Sequence, residues 1–275
     1  MILLLLPTAV LAQDSGSMAM APARFELEMQ PGTERTVVVN VDYKSGTDNL
    51  KPVRLVASLN DWTMTRDGQV QFFPAGTLDG SASSWMIYSP GEAPVMPNTT
   101  HQIRVTVSVP ANAVAGDHLA ALIVEQRPEI LRPVAGRQLQ VRYRMASVFY
   151  IKVGGTTRKG DLRDLYAESS ADGIVIKPLM ANEGNSVMRP TASVTILGKD
   201  GKPVAELPES ETLPVLAGQE ALQSVRLDKQ LAVGKYTVKY RVDFQDGRPA
   251  VEGVTDLNVR SSSQISSNGQ PAKRP

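Results

Sequence analysis

The stretch LQVRYRMASVFYIKVGG, residues 139–155, alternates in character. Leu139, Val141, Tyr143 and Met145 fall in one phase, and Gln140, Arg142 and Arg144 in the other. After a break at Ser147, Phe149, Ile151 and Val153 resume the first phase, and the run stops at Gly154-Gly155. Successive side chains of a strand point to opposite faces, so the pattern predicts a long β-strand with one apolar side. Burying four such side chains is worth roughly 1.5–3 kcal/mol each before conformational entropy is subtracted, so the row is not left in water. Two readings stay open. In one, the row faces the core of its own sandwich. In the other, the strand is the last of its sheet, and its unpaired N–H and C=O groups form a template for a strand from another chain, with alternate side chains filling pockets. Gln140, Arg142 and Arg144 fit the use of charge to discourage unwanted pairing. Both phases of VFYIKV contain apolar residues, so the pattern leaves the inward face undecided there.

The same period of two runs through the rest of the chain. ARFELEMQ (23–30), ERTVVVNVDY (34–43), PVRLVASLNDW (52–62), THQIRVTVSVP (100–110) and DHLAALIVEQR (117–127) precede the opening stretch. A Pro-, Gly- and Ser-rich segment between them reads as irregular chain with a short strand at Ser84–Tyr88. GIVIKPLMAN (173–182), TASVTIL (191–197), ALQSVRL (221–227), GKYTVKYRVDF (234–244) and VEGVTDLNV (251–259) follow it. Asp-Gly recurs at 67–68, 79–80, 172–173, 200–201 and 246–247, mostly between strand-like runs, as tight hairpin turns require. Only DLRDLYAE (161–168) has helical spacing, and it fits a strand equally well.

At 275 residues the chain exceeds the ~250 at which single cores usually stop growing, which predicts two domains. The boundary falls at Gly154-Gly155, giving an N-terminal domain over 23–154 and a C-terminal one over 155–260. Both are all-β sandwiches of Greek-key type, arranged in tandem. Residues 261–275 are too polar to offset the entropy of ordering, so a disordered tail is expected. The start, MILLLLPTAVLAQ, has an apolar run too short for a bilayer, followed by compact residues, and reads as a signal peptide over 1–12. A flexible lead-in over 13–22 and a periplasmic location follow from that reading.

The net charge of +1 gives no basis for nucleic-acid binding, and the absence of cysteine removes disulfides, thiolate metal sites and thiol nucleophiles. His101 and His118 both sit in strand-like runs, where solvent-facing positions are expected. No nucleophile elbow, metal-binding His motif or phosphate loop is present, and GKDGK (198–202) reads as a hairpin turn. The chain therefore reads as a non-enzyme that needs no cofactor or metal.

Three segments carry a resemblance. ARFELEMQPGTERTVVVNV (23–41) has a strand, a Pro-Gly turn and a strand. SASSWMIYSPGEAPVMPNTTHQIRVTVSVPANAVAGDHLAALIVEQ (81–126) leads into the opening stretch, and MANEGNSVMRPTASVTI (180–196) carries an Asn-x-Gly-Asn pattern. In this order they resemble the periplasmic chaperones of chaperone–usher pilus assembly. The resemblance implies two immunoglobulin-like domains, no enzymatic activity, and an edge strand that lends alternating apolar residues to an incomplete pilin-like subunit. Those residues would be Leu139, Val141, Tyr143 and Met145. It also implies partners: a pilus or surface subunit, and an outer-membrane usher. In that family an Arg on the first strand and a Lys on the edge strand hold the subunit's terminal carboxylate. Arg24 matches the Arg, while Ser147 occupies the Lys position, and Arg144 could replace the Lys only if the strand bulged. The alternative reading is a structural or adhesive extracytoplasmic module using the same sandwiches for ordinary protein contacts.

Overall fold

The computed structural model describes residues 17–44, 51–127, 143–170 and 173–260. The segment 1–12 read as a signal peptide, the expected tail over 261–275, Leu139 and Val141 lie outside the described residues. Ten strands build the first unit: β1 (Ser17–Ala21), β2 (Arg24–Met29), β3 (Glu34–Lys44), β4 (Val53–Met64), β5 (Val70–Pro74), β6 (Met86–Ser89), β7 (Glu92–Val95), β8 (Thr99–Ser108), β9 (Gly116–Gln126) and β10 (Arg144–Val153). They form two facing sheets, one in the order β1-β3-β8-β6 and one in the order β2-β10-β9-β4-β5, with β7 paired to β4. The phase read from the sequence sets what lies between them. Val39 and Val41 of β3, Ile103, Val105 and Val107 of β8, Leu122 and Val124 of β9, and Phe149, Ile151 and Val153 of β10 fill one core.

The second unit consists of β11 (Gly160–Ser170), β12 (Gly173–Asn182), β13 (Thr191–Leu197), β14 (Pro203–Glu211), β15 (Glu220–Leu222), β16 (Val225–Leu227), β17 (Gly234–Asp243) and β18 (Val251–Val259). Its sheets are β11-β12 with β15 and β16 both paired to β12, and β14-β13-β17-β18. A separate core of Ile176, Met180, Ile196, Val238, Tyr240 and Leu257 lies between them. The chain is thus two β-sandwiches in tandem. The glycines of all five Asp-Gly pairs have positive φ, between +72° and +124°. That conformation carries no steric cost without a Cβ, and it turns the chain back between β4 and β5, β11 and β12, β13 and β14, and β17 and β18.

Two expectations are corrected and one open reading is resolved. The lead-in over 13–22 contains β1, paired antiparallel with β3 from Ser17↔Lys44 to Ala21↔Asn40. Its SMAMA alternation puts Met18 and Met20 in the first core and leaves Ser17, Ala19 and Ala21 exposed. The stretch 161–168, undecided between helix and strand, is strand throughout. The short strand at Ser84–Tyr88 begins instead as a 3-10 turn over Ser83–Trp85 and becomes β6 at Met86.

The sandwiches meet in a corner with its own small apolar cluster. Trp62, Ala121 and Tyr150 from the first unit pack with Val187 and Leu216 from the second, and the Trp62 ring meets Tyr150 edge-on at 5.1 Å. Asp117 accepts from the Val187 N–H at 2.7 Å and the Ser186 hydroxyl at 3.0 Å, while its own N–H donates to Asn185 O. The Asn-x-Gly-Asn segment shapes this corner. Asn182 is buried, donates to Ser186 O and Val215 O, and accepts from the Gly184 N–H. The Asn185 side-chain Oδ1 accepts from Thr157 N–H at 2.6 Å, tying down the inter-domain connection. Gly116 is required there: its φ is +133°, and a Cβ would lie 2.9 Å from Asn185 O.

Candidate binding edge and interdomain cleft

β10 is flanked unequally along its length. It pairs antiparallel with β9 throughout, from Arg144↔Glu125 to Val153↔Gly116, with no break in register. On the other side β2 runs parallel to it only from Val148↔Arg24 to Val153↔Met29. The strand is therefore enclosed over 148–153, which corrects the expectation of a free edge along its whole length. Among the described residues, no strand pairs with Arg144–Ser147 on the flank away from β9, although β1 lies close to β10.

Hydrogen-bond direction identifies the groups that this leaves open. Gln126 N–H donates to Tyr143 O, so odd-numbered residues of β10 address β9. Val148 N–H donates to Ala23 O, so even-numbered residues address the β2 side. By the same alternation, the backbone groups of Arg144 and Ala146 point to the open flank. β2 ends the opening because Pro22 turns the chain from one sheet to the other, and Ser147 closes that corner. Ser147 is fully buried, with its hydroxyl donating to Pro22 O at 2.8 Å. No bulge occurs at Arg144, whose exposed side chain lies 3.8 Å from Glu125. Arg144 therefore does not move into the Lys position.

The apolar row faces inward where it is described. Tyr143 and Met145 pack, half-buried, against the first core, in the same phase as Phe149 and Ile151. Phe25 of β2, in register with Phe149, shares that inward face and stacks on its ring at 4.7 Å between ring centres. The histidines are half-buried rather than solvent-facing; His118 packs 4.3 Å from the Trp85 ring and its Nε2 lies 2.9 Å from Val114 O.

Below the open flank, in the cleft between the sandwiches, lies a charged cluster that the sequence reading missed. Lys152 Nζ sits 2.7 Å from Glu26 Oε2, and both Nε and Nη2 of Arg189 reach Glu26 Oε1, at 3.2 and 3.1 Å. Arg24 Nε lies 3.3 Å from the same oxygen. The Arg189 guanidinium also stands 5.4 Å from the centre of the Tyr150 ring. Burial by itself pushes the Glu26 carboxyl up, but the Lys152 hydrogen bond and the charges of Lys152, Arg189 and Arg24 hold it below its usual value. Burial raises the Tyr150 phenol above its ordinary value, against the pull of Arg189. Glu26, Lys152 and Arg189 line, with Arg158, Val187 and Gln245, a cavity of about 260 Å³. Three cations thus share one carboxylate. No local signal joins Glu26 to Arg189, because the fold alone brings together residues 163 positions apart.

Among the described residues no group of three or more His, Cys, Asp or Glu could hold a metal, and no helix is long and apolar enough to cross a membrane.

No known family and no curated protein matches the sequence. Solved structures similar to this chain over most of its length have TM-scores below 0.5. One is a chaperone–tip adhesin complex of CFA/I fimbriae, at a TM-score of 0.45 and 9% identity, covering 87% of this chain and 98% of that one. Another is the CsuC–CsuE chaperone–tip adhesion subunit complex from archaic chaperone–usher Csu pili of Acinetobacter baumannii, at 0.41 and 13%, covering 88% and 98%. A third is the Salmonella enterica SafA pilin in complex with the SafB chaperone, at 0.41 and 16%, covering 87% and 96%. What this chain is similar to, across these and five further structures, is in every case a chaperone or a chaperone complex.

Proposed function

We propose that the protein is a non-enzymatic, periplasmic, chaperone-like assembly factor that holds an extended segment of a pilus-type or surface subunit by adding it as a strand beside β10. The observation that carries this reading is the flank at Arg144–Ser147, where backbone groups of two residues face away from β9 and no strand among the described residues pairs with them. Backbone pairing would supply affinity, and the row formed by Met145 and Tyr143, continued by Val141 and Leu139, would supply selectivity. A segment running parallel to β10 would end where β2 begins. Its terminal carboxylate would then approach Arg24, whose neighbour Glu26 is already shared with Lys152 and Arg189. An usher is the further partner that the resemblance implies. The second reading, a structural or adhesive interaction module, draws on the packing of Tyr143 and Met145 onto their own core.

The test is recovery of partners from periplasmic extract with the intact, tagged protein, its Val141→Glu and Tyr143→Glu variants, and urea unfolding as a control for folding. Capture of a small β-rich subunit that both folded variants lose supports strand addition. Undiminished capture by the folded variants refutes it in favour of the second reading.

A further inference from the structure

Lys152, Arg158 and Arg189 all line the cavity of about 260 Å³ in the cleft, against a single lining carboxylate, Glu26. The Lys152 and Arg189 side chains are only 11% and 19% exposed. Cations withdrawn that far from water need counter-charge, and Glu26 already divides its own between them and Arg24. Both its oxygens are engaged, Oε2 by Lys152 and Oε1 by Nε and Nη2 of Arg189. Arg158 adds a third cation, exposed and without an ion pair among the described residues. The carboxylates around the rim do little to offset this. Glu211 Oε1 stands 4.0 Å from Arg189 Nη1 with its side chain more than half exposed. Glu28, in register with Lys152, forms no ion pair among the described residues. Three cations facing one carboxylate leave the lining with an excess of positive charge.

The wall has a second, independent feature. Gln245 has a φ of +54°, in the left-handed region that residues with a Cβ seldom adopt. Backbone strain of this kind collects at ligand sites. The Gln245 N–H donates to Asp243 Oδ1 at 2.8 Å, which holds the turn and keeps the residue at the cavity.

We propose that this cavity binds a small tetrahedral oxyanion of the phosphate or sulfate kind, held by Lys152, Arg158 and Arg189 with Gln245 beside them. Arginine offers such an anion a planar fork of donors and lysine a point charge. Arg189 is already oriented by Glu26 and the Tyr150 ring, so little side-chain freedom is lost on binding. A dianion answers the surplus charge of the lining better than a single carboxylate does. Lys152 lies near the far end of the β2–β10 pairing, whereas strand addition would use the flank before Val148, so either reading can fail without the other.

Inorganic phosphate, sulfate and acetate, each titrated calorimetrically into the intact protein at fixed ionic strength, provide the test. Phosphate and sulfate should bind saturably, and acetate at least about tenfold more weakly. Arg158→Gln should weaken phosphate about tenfold, while Arg144→Gln, at the opposite end of β10, should change it by less than about twofold. Gln245→Gly should weaken phosphate about threefold without lowering stability in urea, because glycine takes the turn freely, and it serves as the test variant if Arg158→Gln does not fold. The proposal is overturned if neither tetrahedral anion binds saturably, if acetate matches them, or if the folded variants at 158 and 245 bind phosphate unchanged. It is equally overturned if Arg144→Gln weakens phosphate as much as Arg158→Gln, the mark of charge screening alone.

Discussion

Proline placed at Ala146 and at Ser147 should behave in opposite ways, because their backbone N–H groups face opposite flanks of β10. The Ser147 N–H addresses Leu122 across the β9 ladder. Ser147→Pro removes that hydrogen bond and leaves the Leu122 carbonyl without its donor in a fully buried strand, at about 1–3 kcal/mol. It also deletes the hydroxyl bond to Pro22 O, worth about 1 kcal/mol, and forces a ring into a site with no free surface. Together these make roughly 3–5 kcal/mol. Ala146 is half-buried, and its N–H lies on the flank where no described strand pairs with it, so proline there breaks no ladder bond among the described strands. Strain from fixing φ is partly offset by the smaller entropy of the unfolded chain, which keeps the net cost within about 1 kcal/mol. Urea unfolding of the two variants measures the difference directly. The same Ala146→Pro protein should capture partner at least about tenfold more weakly, because it has lost a backbone donor and gained an obstruction on the docking flank. If Ala146→Pro destabilises the protein as severely as Ser147→Pro, the flank is already in use within the protein, and the proposed docking edge does not exist.

Other perturbations test the remaining structural claims. Asp61 is almost fully buried and accepts from the Thr77 and Leu78 N–H groups and the Ser81 hydroxyl, so Asp61→Ala should cost about 2–5 kcal/mol in urea unfolding by orphaning those donors. Glu26→Ala leaves Lys152 and Arg189, with side chains 11% and 19% exposed, without their shared counter-charge. It should cost about 1–3 kcal/mol, whereas Arg144→Ala, whose pair with Glu125 is more than half exposed, should cost under about 0.5 kcal/mol. Asp246 is held down to about 2 chiefly by its hydrogen bond from Arg248, helped by the Gly160 and Arg248 N–H groups. A depressed carboxylate stabilises the folded state above its unfolded value and loses that contribution as pH falls. The second sandwich should therefore lose roughly 2 kcal/mol between about pH 4 and pH 2, and Asp246→Asn should flatten that part of the profile.

Period-two alternation interrupted by Asp-Gly turns made the all-β class legible, because side-chain direction in a strand is local and glycine alone adopts positive φ at no cost. It also carried most strand positions; TASVTIL (191–197) coincides with β13. The errors are instructive in the same terms. SMAMA was too short to stand out as a strand, and only the exposed edge of β3 gives its two methionines a surface to cover. The alternation from Tyr143 to Val153 says that one face is apolar. It is silent on which backbone edge is paired, because hydrogen-bond partners belong to the neighbouring strand and leave no mark on the side chains.

From its own residues, then, the chain determined that it would form strands, where it would turn, and which phase of each strand would be apolar. Tertiary structure alone decided that β2 covers β10 from Val148 onward but not before, and that Glu26 meets an arginine 163 residues away. It likewise decided that the Tyr240 hydroxyl is buried without a partner among the described residues. The physical reason is range: strand phase and turn geometry arise among adjacent residues, whereas an open flank, a shared charge or a buried unpaired hydroxyl exists only once distant segments have packed.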